Sequence, residues 1–251
     1  MARAIAVTGK GGAGKTTLAA LLVRALVEAG HTPVLAVDAD PNMNLNTALG
    51  LQVEETVGDV REDGLQQAEA MPGGMAKAEF LRLRVQQALV ESRGFDLLAM
   101  GRPEGPGCYC FANTILRACV DEIGKRYRVI VIDCEAGLEH LSRRTAGDLD
   151  VLLMVSDPSI RSLDTARRVM DLAEELHTSV GRRLFALNRV ANGLPEDLLA
   201  AARARGLPDP ILIPEDDEIR RLDQAGRPLI EVRDDNPVLT AIRTLLADLM
   251  L

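Results

Sequence analysis

Residues 9–16 read Gly9-Lys10-Gly11-Gly12-Ala13-Gly14-Lys15-Thr16, directly after an apolar run, RAIAVT (3–8), and directly before a helix-length stretch at 15–29. The spacing satisfies G-x-x-x-x-G-K-[ST] in the strand–loop–helix setting that this pattern requires. Each residue type has a chemical reason to be there. Glycines let successive backbone N–H groups turn inward around phosphate oxygens, and the N-terminus of the following helix adds partial positive charge. Lys15 reaches the terminal phosphates and the Thr16 hydroxyl ligates Mg²⁺. The alternative is a glycine-rich turn that binds nothing. The first reading makes Gly9, Gly11, Gly12, Ala13, Gly14, Lys15, Thr16 and Thr17 candidate nucleotide contacts.

Beyond this loop, short apolar runs alternate with amphipathic stretches of helix length. That alternation predicts an α/β fold with a mostly parallel central sheet covered by helices on both faces. Strands are expected at 3–8, 33–37, 128–133, 150–155, 183–188 and 210–213, with a further one at 95–100. Helices are expected at 15–29, 111–125, 159–176, 195–205, 215–225 and 236–249, with Pro195, Pro214 and Pro237 near three of their starts. Residues 52–94 are the least readable part, with weak helical periodicity over 76–92 and a Pro-Gly-Gly break at 72–74. No repeat or linker divides the chain, so 1–251 is read as one domain.

Phosphoryl transfer also needs carboxylates to hold Mg²⁺ and orient water. Asp133 closes the run VIVID (129–133), and Asp38 and Asp40 follow VLAV (34–37) in DADPNMN (38–44). Carboxylates at strand ends also serve as helix caps, and both readings stand for each of the three.

The chain has 251 residues, 47% hydrophobic and 26% charged, enough for a full core in one soluble domain at the large end of the single-domain range. A net charge of −8 argues against an electrostatic grip on nucleic acid or anionic lipid, which needs clustered cations. Arg161, Arg167 and Arg168 share their helix with Asp164, Asp171, Glu174 and Glu175, a solvated mixed face. The start, MARAIAVTG, has no signal-peptide layout and no apolar run approaches a membrane span, so a cytoplasmic location is expected.

In that compartment thiols stay reduced, and two cysteines close together point to a metal or redox site rather than a disulfide. Cys108 and Cys110 lie one residue apart in GPGCYCFAN (105–113). In an extended segment residues i and i+2 face the same way, so both thiolates can hold one ion. Zn²⁺ or thiolate-bound Ni²⁺ usually takes four donors, and two-fold symmetry supplies the missing pair. A four-thiolate ion contributes on the order of 10 kcal/mol, comparable with the ~4–15 kcal/mol entropic cost of association. The alternative is two small buried hydrophobes. Cys119 shares a helical face with Ile115 and Ile123 and reads as core; Cys134 reads as a small filler. His140 suits a hydrogen bond better than a metal, and His31 and His177 read as surface residues.

The second loop lysine, Lys10, together with GKGGAGKTT (9–17), DADPNMN, DCEAG (133–137) and IPEDDEIRRLDQAGRPLI (213–230), resembles the deviant Walker A (SIMIBI-like) P-loop NTPases, the group of MinD, ParA and the nitrogenase iron protein. GCYCFANTILR (107–117) and DCEAGLEHLSRRTAG (133–147) look like the CooC-type ATPases that help insert nickel into carbon monoxide dehydrogenase, and their acetyl-CoA synthase relatives. The resemblance implies ATP and ADP as ligands, a nucleotide-dependent homodimer, and a nickel or zinc ion shared by Cys108 and Cys110 of two protomers. It implies that Lys10 reaches the partner's phosphates and Asp40 orients the attacking water. Asp38 would support Mg²⁺ or that water, Gly137 sense the γ-phosphate, Asn188 recognise adenine, and Pro214 complete the nucleotide set. The implied client is carbon monoxide dehydrogenase or acetyl-CoA synthase, with no nucleic acid or membrane partner. Two other readings are a MinD/ParA-like positioning ATPase and an iron–sulfur scaffold or electron donor. The tail NPVLTAIRTLLADLML (236–251), with Arg243 its one cation, argues against membrane positioning.

Overall fold

The computed structural model describes residues 2–66, 77–102, 120, 122–135, 149–175, 179–191, 193 and 196–250. Cys108, Cys110, Cys119, Gly137, His140, His177, Pro195 and most of the helix expected at 111–125 lie outside the described residues.

Among the described residues, eight strands form one sheet: β1 (Arg3–Gly9), β2 (Val34–Asp38), β3 (Val90–Glu91), β4 (Phe95–Ala99), β5 (Val129–Asp133), β6 (Leu149–Ser156), β7 (Val180–Val190) and β8 (Ile211–Pro214). Their order is β3-β4-β2-β5-β1-β6-β7-β8, parallel throughout except for the short antiparallel pair β3–β4. The seven strands expected from sequence all form. β3 is added at an edge, and β7 runs five residues longer than expected, 180–190 against 183–188.

Strand side chains alternate between two cores, as the pleat requires. Ile5, Val7, Val34, Ala36, Val129, Val131, Leu153 and Val155 point to one face. Ala6, Leu35, Val37, Ile130, Ile132, Leu152 and Met154 point to the other. Both faces being covered explains why these strands read as unbroken apolar runs.

The first face is covered by α1 (Lys15–Glu28), α2 (Leu45–Leu49), a 3₁₀ turn at Leu229–Glu231 and α8 (Pro237–Met250). The second is covered by α3 (Val57–Gln66), α4 (Lys77–Gln87), α5 (Ile160–Glu175) and α6 (Glu196–Ala204). A further helix, α7 (Asp217–Gln224), buries Leu222 in the first core. In α1, Leu18, Ala19, Ala20, Leu21, Leu22, Val23 and Leu26 are all shielded from water, because α8 and α2 cover what the sheet does not. Fully burying each such Leu is worth ~1.5–3 kcal/mol. Arg24 on α1 donates to the carbonyl oxygens of Ile230 (3.0 Å) and Val232 (2.5 Å), and Arg243 on α8 pairs with Glu28 at 2.7 Å. The C-terminal third is thereby fastened to the helix that follows the phosphate loop.

Ile242, Leu245, Leu246 and Leu249 of α8 are buried in the first core. No helix among the described residues is long and apolar enough to cross a membrane. His31, expected at the surface, is half-buried: the turn after α1 sends its backbone N–H back to the Leu26 carbonyl (2.9 Å), and its Nδ1 is shielded without a hydrogen-bond partner.

Candidate nucleotide site

The chain leaves β1 toward β2 on one side, while the later strands β6 to β8 lie on the other. Open α/β sheets bind ligands at such a reversal, outside the carboxyl ends of the strands. β1 ends at Gly9, and the loop to α1 sits at this crevice. Gly9 has φ +144°, and a Cβ there would lie 2.0 Å from the Val155 carbonyl oxygen. Gly14 has φ +92°, and a Cβ there would lie 2.2 Å from Asn188 Nδ2. Neither position admits another residue without a shift of backbone or amide. No side chain caps α1 at Gly14, which leaves backbone N–H groups of the first turn available to an anion.

Register places the carboxylates. Asp133 pairs with Val7 across β5–β1 and with Asp38 across β5–β2, so two buried acids stand side by side at the strand ends. Thr16 Oγ1 donates to Asp133 Oδ2 at 2.6 Å. Asp133 Oδ1 is buried with no hydrogen-bond partner. Burial lifts the Asp133 carboxyl to about 7; the Thr16 hydrogen bond and Lys15 oppose the rise, and the Asp38 charge adds to it. Burial likewise lifts Asp38 to about 6, against three backbone N–H donors. Those donors are Asp40 (3.0 Å), Asn44 (3.0 Å) and Leu45 (2.9 Å), so the Asp38 carboxylate braces the 38–44 loop and caps α2.

An unpartnered, desolvated carboxylate oxygen beside a positioned hydroxyl fits a hard divalent cation. Thr16 and Asp133 would hold Mg²⁺ here. Asp40, whose Oδ1 accepts from the Asn42 backbone (2.8 Å) and side chain (3.0 Å), lines the same cavity.

That cavity measures about 570 Å³ and is walled by Gly11, Gly12, Gly14, Lys15 and Thr16 on the loop side. Asn44, Thr47 and Ala48 of the α2 region, Glu135, Asp223 and Arg227 close it elsewhere. A second cavity of about 280 Å³ adjoins it, sharing Thr17, Arg189 and Asp223, and is walled by Asn188, Pro214, Asp216 and Ile219. The pair suits a ligand with a charged phosphate end and a flat, partly apolar end. Lys15 Nζ donates to the Lys10 carbonyl at 3.2 Å, while Lys10 Nζ pairs with Asp157 at 3.3 Å. Lys10 therefore points away from its own phosphate cavity.

Asn188 Nδ2 donates to the Ala13 carbonyl (2.8 Å) and its Oδ1 accepts the Arg189 N–H (3.0 Å), so this residue also buttresses the phosphate loop. Arg189 was not singled out from sequence. It sits at φ +60° where the β7–β8 register shifts, and its guanidinium reaches the Gly12 carbonyl at 3.1 Å. A non-glycine residue held there marks a site of local strain. Its signal in the sequence was adjacency to Asn188. Arg227 and Asp223 also reach the cavity, from the stretch 213–230, whose mixed charges give no local sign of which residues face it.

Burial pushes the Cys134 thiol far above its usual range, and Cys134 packs in the second core as a protonated filler. Among the described residues, no group of three or more His, Cys, Asp or Glu is arranged to hold a metal ion.

Residues 4–229 match the CobQ/CobB/MinD/ParA nucleotide binding domain. The chain belongs to this family. An uncharacterized ATP-binding protein of Methanocaldococcus jannaschii is 44% identical over 236 residues, covering 93% of each chain. The carbon monoxide dehydrogenase accessory protein CooC of Rhodospirillum rubrum is 36% identical over 234 residues, 88% of this chain and 87% of that one. The septum site-determining protein MinD of Pyrococcus horikoshii, solved with Mg-ADP, superposes with a TM-score of 0.71 at 25% identity, covering 99% of this chain and 96% of that one. With the phosphate loop and its carboxylates in place, the chain is an ATPase of the MinD/ParA family, and the sheet and flanking helices are those of its P-loop NTPases.

Proposed function

We propose that this ATPase is a metallochaperone that closes as a nucleotide-sandwiched homodimer, holds a nickel or zinc ion between Cys108 and Cys110 of the two protomers, and supports nickel insertion into carbon monoxide dehydrogenase or acetyl-CoA synthase. The observation that carries the reading is the pairing of an ATPase cleft with a Cys-x-Cys segment in a chain 36% identical to a carbon monoxide dehydrogenase accessory protein. The metal is cargo.

The phosphates of ATP lie along the loop Gly9–Thr16 and the first turn of α1, with the base in the smaller cavity beside Asn188 and Pro214. Mg²⁺, when bound, neutralises charge on the phosphate oxygens. Lys15 leaves the Lys10 carbonyl for the terminal phosphates. Asp40 orients a water whose oxygen attacks the γ-phosphorus as the bond to the β–γ bridging oxygen breaks, giving ADP and phosphate. Lys10, engaged with Asp157 in the single chain, is supplied to the partner's phosphates on closure, and the backbone N–H of Gly137 senses the γ-phosphate. Closure brings the two cysteine pairs to the symmetry axis, so hydrolysis and metal release are linked through one dimer equilibrium.

The test is metal analysis and size measurement of wild type and Cys110→Ser, with and without ATP. Wild type is expected to bind about one ion per two chains. The variant should lose the ion and the metal-dependent part of its dimerisation while still hydrolysing ATP. Equal metal content and equal dimerisation in the variant would overturn the shared site.

A further inference from the structure

Asn236 is fully buried at the start of α8 and its one amide serves two helices. Its Oδ1 accepts the N–H groups of Val238 (2.9 Å) and Leu239 (3.3 Å), capping α8. Its Nδ2 donates to Asp216 Oδ1 (2.9 Å) and Glu218 Oε2 (3.0 Å). The same Asp216 oxygen caps α7, accepting from the N–H groups of Glu218 and Ile219 at 2.9 Å each. Two helix starts are thus joined through a single buried side chain.

Those helix starts line the 280 Å³ cavity: Asp216, Ile219 and Arg220 at α7 and Val238 at α8, beside Pro214 at the end of β8. Asn236 itself does not line it. α7 has little apolar anchoring, since Leu222 is its one buried residue and Ile219 is only partly covered; beside Asn236, Glu218 also accepts from the backbone (3.3 Å) and guanidinium (3.4 Å) of the exposed Arg233. With so little apolar anchoring, and with Arg233 itself exposed, the hydrogen bonds from the buried Asn236 amide do most to fix where the α7 wall stands. Nδ2 brings two donors and Oδ1 an acceptor on one short side chain. Asp offers no donor, Ser offers one, and Gln is a methylene longer.

We propose that Asn236 is a positioning residue that sets the shape of the nucleobase cavity, and so the preference for adenine over other bases, without contacting the nucleotide. The inference rests on the reading that this cavity takes the base. Base discrimination depends on fixed donors and acceptors, because a polar group left unpaired against the wrong base is what penalises it.

The experiment compares wild type with Asn236→Ser and Asn236→Asp, both competent N-cap residues that keep the start of α8 and lose the paired donors. Calorimetry on the full chain gives dissociation constants for Mg-ATP, Mg-GTP and Mg-tripolyphosphate, the last being a ligand with phosphates and no base. The ATP constant is expected to rise about ten-fold, and the ATP-over-GTP preference to shrink by a similar factor. Tripolyphosphate affinity should stay within about two-fold, a separation that general loosening of the fold does not produce. An unchanged ATP constant, or equal weakening of all three ligands, overturns the proposal. Should the Asn236 variants not fold, Glu218→Ala carries the test by removing one of the two Asn236 acceptors, with Arg233→Ala as control for the contacts Glu218 also makes to Arg233: a shift of about three-fold in ATP with Glu218→Ala and none with Arg233→Ala supports it, and no shift with Glu218→Ala, or an equal shift in both, overturns it. A wild type that binds ATP no better than tripolyphosphate overturns the base-cavity reading and this inference together. A wild-type preference retained in the variants overturns this inference only.

Discussion

Asp133 and Asp38 are two buried carboxylates on adjacent strand ends, and their raised pKa values dictate how the empty site responds to pH. In the unfolded chain both titrate near the ordinary 3.8; in the folded chain they titrate near 7 and 6. Between those values the folded state holds protons that the unfolded state has released. Their contribution is therefore fully present below pH ~4 and is lost as pH rises through the folded values, a change on the order of a few kcal/mol. With divalent metal chelated and no nucleotide, the melting temperature of wild type is expected to fall, relative to Asp133→Asn, as pH is raised from about 5 to 8. Mg-ADP should remove that difference in slope, because a cation beside Asp133 Oδ1 stabilises the ionised form. Parallel melting curves for the two chains in chelator would show that Asp133 is not a desolvated acid with an unpartnered oxygen. These acids were visible in the sequence as strand-end residues, but their roles were not. Both readings, metal support and helix cap, applied to each, and the structure divides them: Asp38 is taken up by three backbone N–H groups, and Asp133 keeps an oxygen in reserve.

The element most exposed to a packing test is α1. A helix enclosed by sheet, α2 and α8 has nowhere to relax when a side chain is truncated, so Leu22→Ala is expected to cost about 2–5 kcal/mol, measured by denaturant unfolding. A loss below about 0.5 kcal/mol would mean that α8 closes onto α1 only loosely. The same helix was legible from sequence to within a residue, because nine Leu, Ala and Val among its fourteen residues carry the helical period and the phosphate loop marks its start. α2 was not legible. It has five residues, and the group that caps it, the Asp38 carboxylate, lies seven residues before Leu45, so no local pattern announces it. β3 has two residues, too few for any period. In β7 the apolar pattern starts at Leu184, yet backbone pairing with β6 begins at Val180, because Val180 pairs with Leu149 and Arg182 with Val151 although Arg182 faces water. Strand order was also beyond reach: the insertion of β5 between β1 and β2 is set by where the crossovers pack, and it alone brings Asp38 beside Asp133.

For the whole molecule, the decisive question is whether one chain holds a complete catalytic centre. Lys15, Thr16, Asp40 and Asp133 gather around one cleft, whereas Lys10 is turned to Asp157 and is absent from the cavity wall. If Lys10 acts on the partner's nucleotide while Asp40 acts on its own, each functional site draws on both chains. Lys10→Ala and Asp40→Asn are then each expected to bind nucleotide and to turn over far more slowly than wild type. Mixed in equal amounts, they behave differently. In a mixed dimer, the site on the Lys10→Ala chain has its own Asp40 and receives Lys10 from the Asp40→Asn chain, so it is whole; the other site lacks both. With random pairing half the dimers are mixed and half of their sites work, so turnover should recover to about a quarter of wild type by two-fold symmetry. Steady-state phosphate release across a mixing series checks this, and the recovery should peak at equal proportions. A mixture no more active than its weaker components would place Lys10 in its own subunit's chemistry or outside the reaction, and the nucleotide sandwich would lose its trans-acting lysine.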